Sequence, residues 1–248
     1  MVRPDVVQGW RALVAIAVSW ALALAPLPVL AQSPRQLAPG FTQLPAGAKV
    51  VLMPVDVELF SLSAGGVPEP KADWTADAQR HLKTALQRRA AALGIESTQL
   101  DDTRADAFAE HVNLHAAVAR SIAVHHVNIG PYNLPTKNGV LDWSFGDSLR
   151  GLQEQTGARY ALFIWMRDSY ASAERKAAMV AMLIVGAALG TGILLGGGTQ
   201  TGYASLVDLE SGQVVWFNQL VRGSGDLREE AAATETFNVL MAGFPRTP

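Results

Sequence analysis

Hydrophobic residues follow two different periodicities along this chain, and together they predict alternating strands and helices. Residues 49–55 and 160–166 are nearly continuous apolar runs, as expected for strands that are buried on both faces. The first run continues with apolar–polar alternation to Leu62. Residues 73–93 and 101–126 carry apolar side chains at helical spacing, which predicts two long amphipathic helices.

The rest of the pattern predicts shorter elements. Residues 95–100 are a strand candidate, and a short helix is expected over 144–156. Residues 203–209 and 213–219 predict an antiparallel hairpin, which a last helix follows, to about Met241. The order predicts an α/β (α+β mixed) fold: a single domain whose mixed sheet of about four to five strands has helices packed on it.

The amino-terminal segment has the features of a secretory signal peptide. Arg3 and Arg11 supply positive charge, and residues 12–24 form an apolar run that is shorter than the ~20 residues a membrane-spanning helix needs. Small or β-branched side chains before the break predict cleavage after Ala31. The sequence therefore predicts a signal peptide over 1–31 and export to the periplasm or the cell envelope. An uncleaved anchor is the alternative.

Composition narrows the possible functions. The 248 residues carry a net charge of −2 with no basic patch, which argues against a nucleic acid partner. The chain has no cysteine, which excludes disulfides, thiolate metal sites and the acyl anchor of bacterial lipoproteins. After the signal peptide, we expect an extended leader over 32–47 and a single domain over 48–248.

An apolar insert is the most informative feature of the sequence. It covers residues 176–199, and residues 177–195 contain no charged side chain. Gly186 and Gly190 form a small-xxx-small motif, which permits close helix packing. Three alternatives stay open: a transmembrane helix, a shallow membrane contact through 177–198, or packing against the domain or a partner. A monomer rarely exposes such a surface, so we expect an envelope protein partner or self-association.

Histidines provide the candidate metal ligands. His111 and His115 are spaced i, i+4 on one predicted helix, and His125 and His126 could add to them. The order is not His-Glu-x-x-His, and His115 falls on the apolar stripe, where a core position is the simpler interpretation. We therefore predict no metal and no cofactor.

Two further segments could carry chemistry or recognition. Asp168 and Ser169 follow the strongest strand, but no G-x-S-x-G motif and no neighbouring histidine support a nucleophile there. Tyr132 and Trp143 lie in a loop rich in proline and glycine, where aromatic side chains can bind a ligand or anchor the loop. No catalytic residue is predicted. The predicted interaction surface consists of Leu183, Gly186, Gly190, Leu194, Tyr132, Trp143, Asp168 and Tyr170.

The carboxy-terminal half resembles a known type of envelope domain. Residues 160–165, the apolar insert and residues 205–216, with Asp208, Gly212 and Trp216 in an Asp-x-x-x-Gly-x-x-x-Trp hairpin, are similar to the curli-secretion-channel type of α/β domain and to penicillin-binding-protein activators. The stretches from Gly130 to Lys137 and from Arg167 to Ser172 also resemble an uncharacterised exported proteobacterial family. The resemblance implies an envelope role and departs in one respect, because those relatives are lipoproteins and this chain lacks the cysteine.

From these observations, the sequence predicts a non-enzymatic cell-envelope protein, periplasmic or membrane-peripheral, that acts by protein–protein contacts. An oligomeric pore or secretion component that inserts residues 177–198 into a membrane is one alternative. A periplasmic hydrolase is the other.

Overall fold

The computed structural model describes residues 35–93, 95–100, 106–128, 131–191 and 196–248. Within them, strands and helices alternate much as predicted. The strands are β1 (Lys49–Leu52), β2 (Asp56–Leu62), β3 (Pro68–Pro70), β4 (Glu96–Gln99), β5 (Tyr160–Ala171), β6 (Gln200–Asp208) and β7 (Val214–Arg222). The helices are α1 (Ala72–Ala92), α2 (Ala109–Ile122), α3 (Arg150–Thr156), α4 (Ala173–Ala188) and α5 (Glu230–Leu240).

Some predictions fall outside the described residues. They concern the signal peptide over 1–31 with its cleavage after Ala31, the first residues of the leader, the start of the helix predicted from residue 101, and Leu194. These stay predictions.

β5 is the centre of the sheet. β1 and β2 pair with one edge of it in parallel, and β6 pairs with the other edge antiparallel. β4 extends the sheet beyond β1, β3 beyond β2, and β7 beyond β6. The single domain is therefore mixed α/β, as predicted.

The sheet has seven strands within the described residues instead of the predicted four to five, and two local features explain the difference. The strand expected over 49–62 is interrupted at Pro54, which has no N–H for a ladder bond. Leu52 pairs with Leu162 and Asp56 with Trp165, so one extra residue bulges out between β1 and β2. In addition, Pro68–Pro70, where the sequence predicts no strand, form β3.

Each face of the sheet is covered by its own helices. Leu162 and Ile164 of β5 point into a core with α1 and α5, whereas Ala161 and Phe163 point into a second core with α2 and α3. Successive side chains of a strand alternate between faces, so a strand covered on both faces must be apolar throughout. This explains the continuous apolar run that predicted β5.

The leader lies against the sheet along residues 35–47. The Ala38 N–H donates to the Val215 carbonyl at 3.0 Å, and the Phe217 N–H donates to the Gln36 carbonyl at 2.9 Å. Leu44 is fully buried in the core with α1 and α5. This segment therefore covers part of the outer edge of β7.

The apolar insert leaves the sheet as a helix and returns along the same strand. Ser172 caps α4, because its hydroxyl accepts a hydrogen bond from the Arg175 N–H at 3.2 Å. On the return, the Gly197 carbonyl accepts from the Ala171 N–H at 2.8 Å. A Cβ atom at Gly198 would lie 1.9 Å from the Ser169 carbonyl oxygen, so this close approach requires glycine. The helix begins three residues before the predicted insert.

Candidate functional site

A buried polar network lies where β5 and β6 meet the base of the insert. One carboxylate oxygen of Asp168 accepts hydrogen bonds from the Tyr170 hydroxyl and, at 2.7 Å, from the Gln200 side-chain amide. Asp168 and Gln200 are both buried. Burial raises the pKa of the Asp168 carboxyl, although its hydrogen bonds oppose that shift.

The network continues across β6 to β7 and α5. The Gln200 side-chain oxygen accepts from Arg222 Nε at 2.8 Å and from the Thr236 hydroxyl at 3.1 Å. Arg222 also binds Glu235 with two hydrogen bonds, at 3.0 and 2.7 Å. Consequently α5 is held to the sheet by polar contacts as well as by its apolar face.

Tyr170 joins this network to the loop before α5. Its hydroxyl accepts from the Leu227 N–H at 2.7 Å, and its ring stands edge-on to Trp74 of α1. The Arg228 guanidinium lies 3.9 Å from the centroid of the Tyr170 ring and is paired with Asp226 at 2.6 Å. Tyr170 therefore connects β5 with α1 and with the loop before α5.

These contacts indicate a structural role for the Asp168 region. Ser169, the candidate nucleophile, accepts from the Thr199 N–H at 2.9 Å and donates to the Thr199 carbonyl at 3.2 Å. Its hydroxyl thus bonds backbone rather than a base that could remove its proton. Asp168, for its part, organises Tyr170 and Gln200.

The four candidate metal ligands have other partners. His111 Nε2 bonds the Ser148 carbonyl at 3.1 Å, His125 Nδ1 the Tyr132 carbonyl at 2.7 Å, and His126 Nε2 the Arg35 carbonyl at 2.8 Å. His115 is buried, with Nε2 2.9 Å from the Ser205 hydroxyl. Among the described residues, no three His, Cys, Asp or Glu side chains cluster to hold a metal ion.

His115 should make the protein sensitive to acid. Burial lowers the pKa of His115 from 6.5 to about 3, so only the unfolded chain is protonated between these values. Stability from this group is therefore present above pH 6.5 and is lost as the pH falls toward 3. At about pH 5 we expect a loss of about 2 kcal/mol relative to neutral pH. Urea unfolding at both pH values should show this loss for the wild type and its absence for His115→Gln; equal losses would contradict the assignment.

The Asp-x-x-x-Gly-x-x-x-Trp hairpin, on which the sequence resemblance rests, has a structural role. Asp208 accepts from the Glu210 N–H at 2.9 Å and so stabilises the turn. Gly212 has a positive φ, +69°, and a Cβ there would lie 2.1 Å from the Gly146 carbonyl oxygen. Trp216 is fully buried against Phe244. Each position is therefore explained by the geometry of the fold.

α4 presents the largest group of exposed apolar side chains in the part of the chain that the structure describes. Val180 is 58% exposed and Ile184 65%, and Leu189, which caps the carboxy-terminal end of the helix, is 68% exposed. Leu183 is also exposed, whereas Gly186 is the buried residue of the helix. Most of the α4 surface is therefore left uncovered by the described part of the chain, and packing of the insert against its own domain or a partner stays a prediction. Within the described segments, no helix has both the length and the apolarity needed to cross a bilayer.

The two aromatic residues of the loop before α3 lie in different environments. Tyr132 is 70% exposed, and Leu134 and Val140 are partly exposed near it in the chain. Trp143, in contrast, packs against the core with α2 and α3, and its carbonyl accepts from the Val214 N–H at 2.8 Å. Trp143 therefore anchors the loop, and Tyr132 is displayed by it.

The structure thus divides the predicted interaction residues among separate places. Asp168 and Tyr170 are in direct contact inside the polar network, whereas Leu183, Gly186 and Gly190 belong to α4 and its carboxy-terminal end. The partners that complete the network were not predicted, because most of them follow Asp168 only after the insert and none carries a motif. The partners missed are Trp74, Gln200, Arg222, Asp226, Arg228, Glu235 and Thr236.

Comparison with known proteins gives a loose similarity of fold. No protein-family profile matches the sequence, and no curated protein matches it significantly. Among solved structures, the PelC dodecamer from Paraburkholderia phytofirmans is 14% identical with a TM-score of 0.36, and the match covers 82% of this chain and 92% of that one. The LpoB C-terminal domain from Salmonella enterica is 11% identical with a TM-score of 0.28, covering 75% and 87%.

Lipoprotein GNA1162 from Neisseria meningitidis is 14% identical with a TM-score of 0.29, and the match covers 70% of this chain and 81% of that chain. Superpositions this loose carry no inference about activity or partners.

Proposed function

We propose that this protein is a non-enzymatic component of the cell envelope that acts by binding other envelope components, and that α4 is its main contact element. The observation that carries the proposal is the exposure of α4: Val180, Ile184 and Leu189 are each more than half exposed on a helix with no charged side chain after Lys176. Exposed apolar surface of this kind marks binding sites on folded proteins.

The distribution of reactive side chains supports a binding role. Asp168 and Ser169 are engaged in hydrogen bonds within the fold, and His115 is held neutral in the core. The large apolar side chains of α4, by comparison, are left exposed by the described part of the fold. A second exposed apolar group, formed by Tyr132, Leu134 and Val140, provides a place for a protein contact away from α4.

Deleting the excursion should separate folding from envelope association. Arg175 Nε donates to the Gly196 carbonyl at 2.9 Å, so the two ends of the excursion lie together and a short Gly-Ser link can replace residues 177–195. We expect the shortened protein to unfold at nearly the same urea concentration and its envelope-bound fraction to fall about tenfold or more, because several large apolar side chains lose their cover. Fractionation of cells that express each form measures this.

A matched variant makes the deletion interpretable. Ala117 is an exposed alanine of α2, so Ala117→Ser changes another helix surface without touching α4. This control should fractionate like the wild type. Unchanged fractionation of the deleted form would overturn the proposed role of α4. Chemical cross-linking in cells tests the second apolar group. Loss of cross-links to another protein after Tyr132→Ala would assign the protein contact to that group.

A further inference from the structure

The exposed apolar surface of α4 extends around most of the helix. Successive residues of an α-helix are rotated by about 100°. On this scale Leu183, Val180 and Ile184 occupy one side, and Val185 and Leu189 continue the surface around to the opposite side. The five exposed side chains therefore span an arc of about 240°. Gly186, the buried position, lies in the remaining arc.

An arc of this width discriminates between kinds of partner. A helix that packs on one protein surface needs an apolar stripe of roughly 100°. A second copy of α4, or a groove in another protein, would therefore cover less than half of the exposed arc. A hydrocarbon phase surrounds a helix and covers all of it.

The side-chain chemistry of α4 also favours lipid over protein as the partner. From Ala177 to Gly190 the sequence offers no side chain that donates or accepts a conventional hydrogen bond. Protein interfaces carry about one hydrogen bond per 100–200 Å² and a polar rim, which supply their specificity. Lipid chains require no such partners, and Arg175 and Lys176 stand at the start of the uncharged stretch.

The length of the uncharged helix fits half of a bilayer. Twelve residue steps separate Ala177 from Leu189, which gives about 18 Å at the helical rise. One leaflet contributes about 15 Å of the ~30 Å hydrocarbon core. Lys176 can extend its ammonium group to the headgroups while α4 enters the acyl chains.

We propose that α4 inserts into one leaflet of a phospholipid bilayer, with Arg175 and Lys176 at the headgroup level. The proposal rests on the proposed function in one respect, namely that α4 is the contact element. It adds that this contact is with lipid. The second apolar group at Tyr132 then stays available for protein.

The absence of native cysteine allows a direct test. Ile184→Cys on α4 and Ala117→Cys on α2 each give one labelling site for an environment-sensitive fluorophore. The protein without its predicted signal peptide, residues 32–248, is mixed with vesicles of phosphatidylethanolamine and phosphatidylglycerol, with and without lipids that carry a quencher in the acyl chain. We expect a blue shift and quenching at position 184 and neither at position 117.

A second variant measures the contribution of the apolar arc. Val180→Ser combined with Ile184→Ser should weaken vesicle binding at least about a hundredfold, while urea unfolding stays unchanged because both side chains are exposed. An unquenched label at position 184 in the presence of vesicles would overturn the lipid proposal. If the label stayed unquenched but the deletion of 177–195 still abolished envelope association in cells, the proposed function would stand. The exposed surface of α4 would then be covered by a protein, either another copy of this chain or a different one.

Discussion

Replacing Trp216 by alanine is expected to lower the free energy of unfolding by about 4 kcal/mol, more than any other single substitution that we predict to destabilise the fold. The side chain is fully buried, and its ring meets Phe244 edge-to-face with centroids 5.1 Å apart. Its backbone also bridges to Leu37, so the site joins the leader to β7. Alanine would leave a cavity among elements that cannot easily collapse together.

Trp216→Phe is the matched variant for this prediction. The buried indole Nε1 of Trp216 has no hydrogen-bond partner among the described residues, so phenylalanine removes no polar contact seen there and keeps most of the apolar volume. We expect a loss of about 1 kcal/mol for this change. Urea unfolding followed by far-UV circular dichroism measures both. Similar losses for the two variants would show that packing volume is not what Trp216 contributes.

Replacing Asp168 by alanine should cost about 3 kcal/mol, the second-largest effect. The Tyr170 hydroxyl and the Gln200 side-chain amide would each lose their acceptor in a buried position. Because Tyr170 also accepts from the Leu227 N–H, we expect the loop before α5 to exchange its amide hydrogens faster. Hydrogen exchange of that loop and urea unfolding are the two measurements. Slow exchange at Leu227 in the alanine variant would contradict the network as described.

The pH dependence of Asp168 has a defined sign. Burial raises the pKa of its carboxyl in the folded protein above the unfolded value of 3.8. The contribution of this group is therefore fully present below pH 3.8 and is lost as the pH rises through the raised pKa. Asp168→Asn removes the titration, so the stability of the wild type relative to this variant should fall as the pH rises through that window. A relative stability that increases with pH would refute the assignment.

The central strand shows which parts of the fold were predictable from the sequence. Residues 160–166 predict a strand because both faces of β5 enter a core, and that demands uninterrupted apolar side chains. The strand continues through Arg167 to Ala171, where the side chains are mainly polar. There it is held by backbone hydrogen bonds with β2 and with the segment returning from α4, and such bonds leave no trace in side-chain polarity.

The two candidate sites, the surface of α4 and the polar network around Asp168, also differ in how far the sequence predicts them. The exposed surface of α4 was predictable, because a long uncharged stretch is visible in the sequence whatever surrounds it. The polar network was only half visible: Asp168 and Tyr170 stood out beside a strand, but Gln200 pairs with Asp168 only because the excursion returns the chain to the same strand. Local pattern contains no information on which distant polar residues meet after such a return.

The leader also determines where the chain can be shortened safely. A protein beginning at Ala48 would lose the backbone partners that Gln36 and Ala38 give to β7, and it would expose the strand edge beside Trp216. An uncovered edge is a template for strand pairing between molecules, so trimming there invites aggregation. Purification tags and protease sites therefore belong ahead of Arg35.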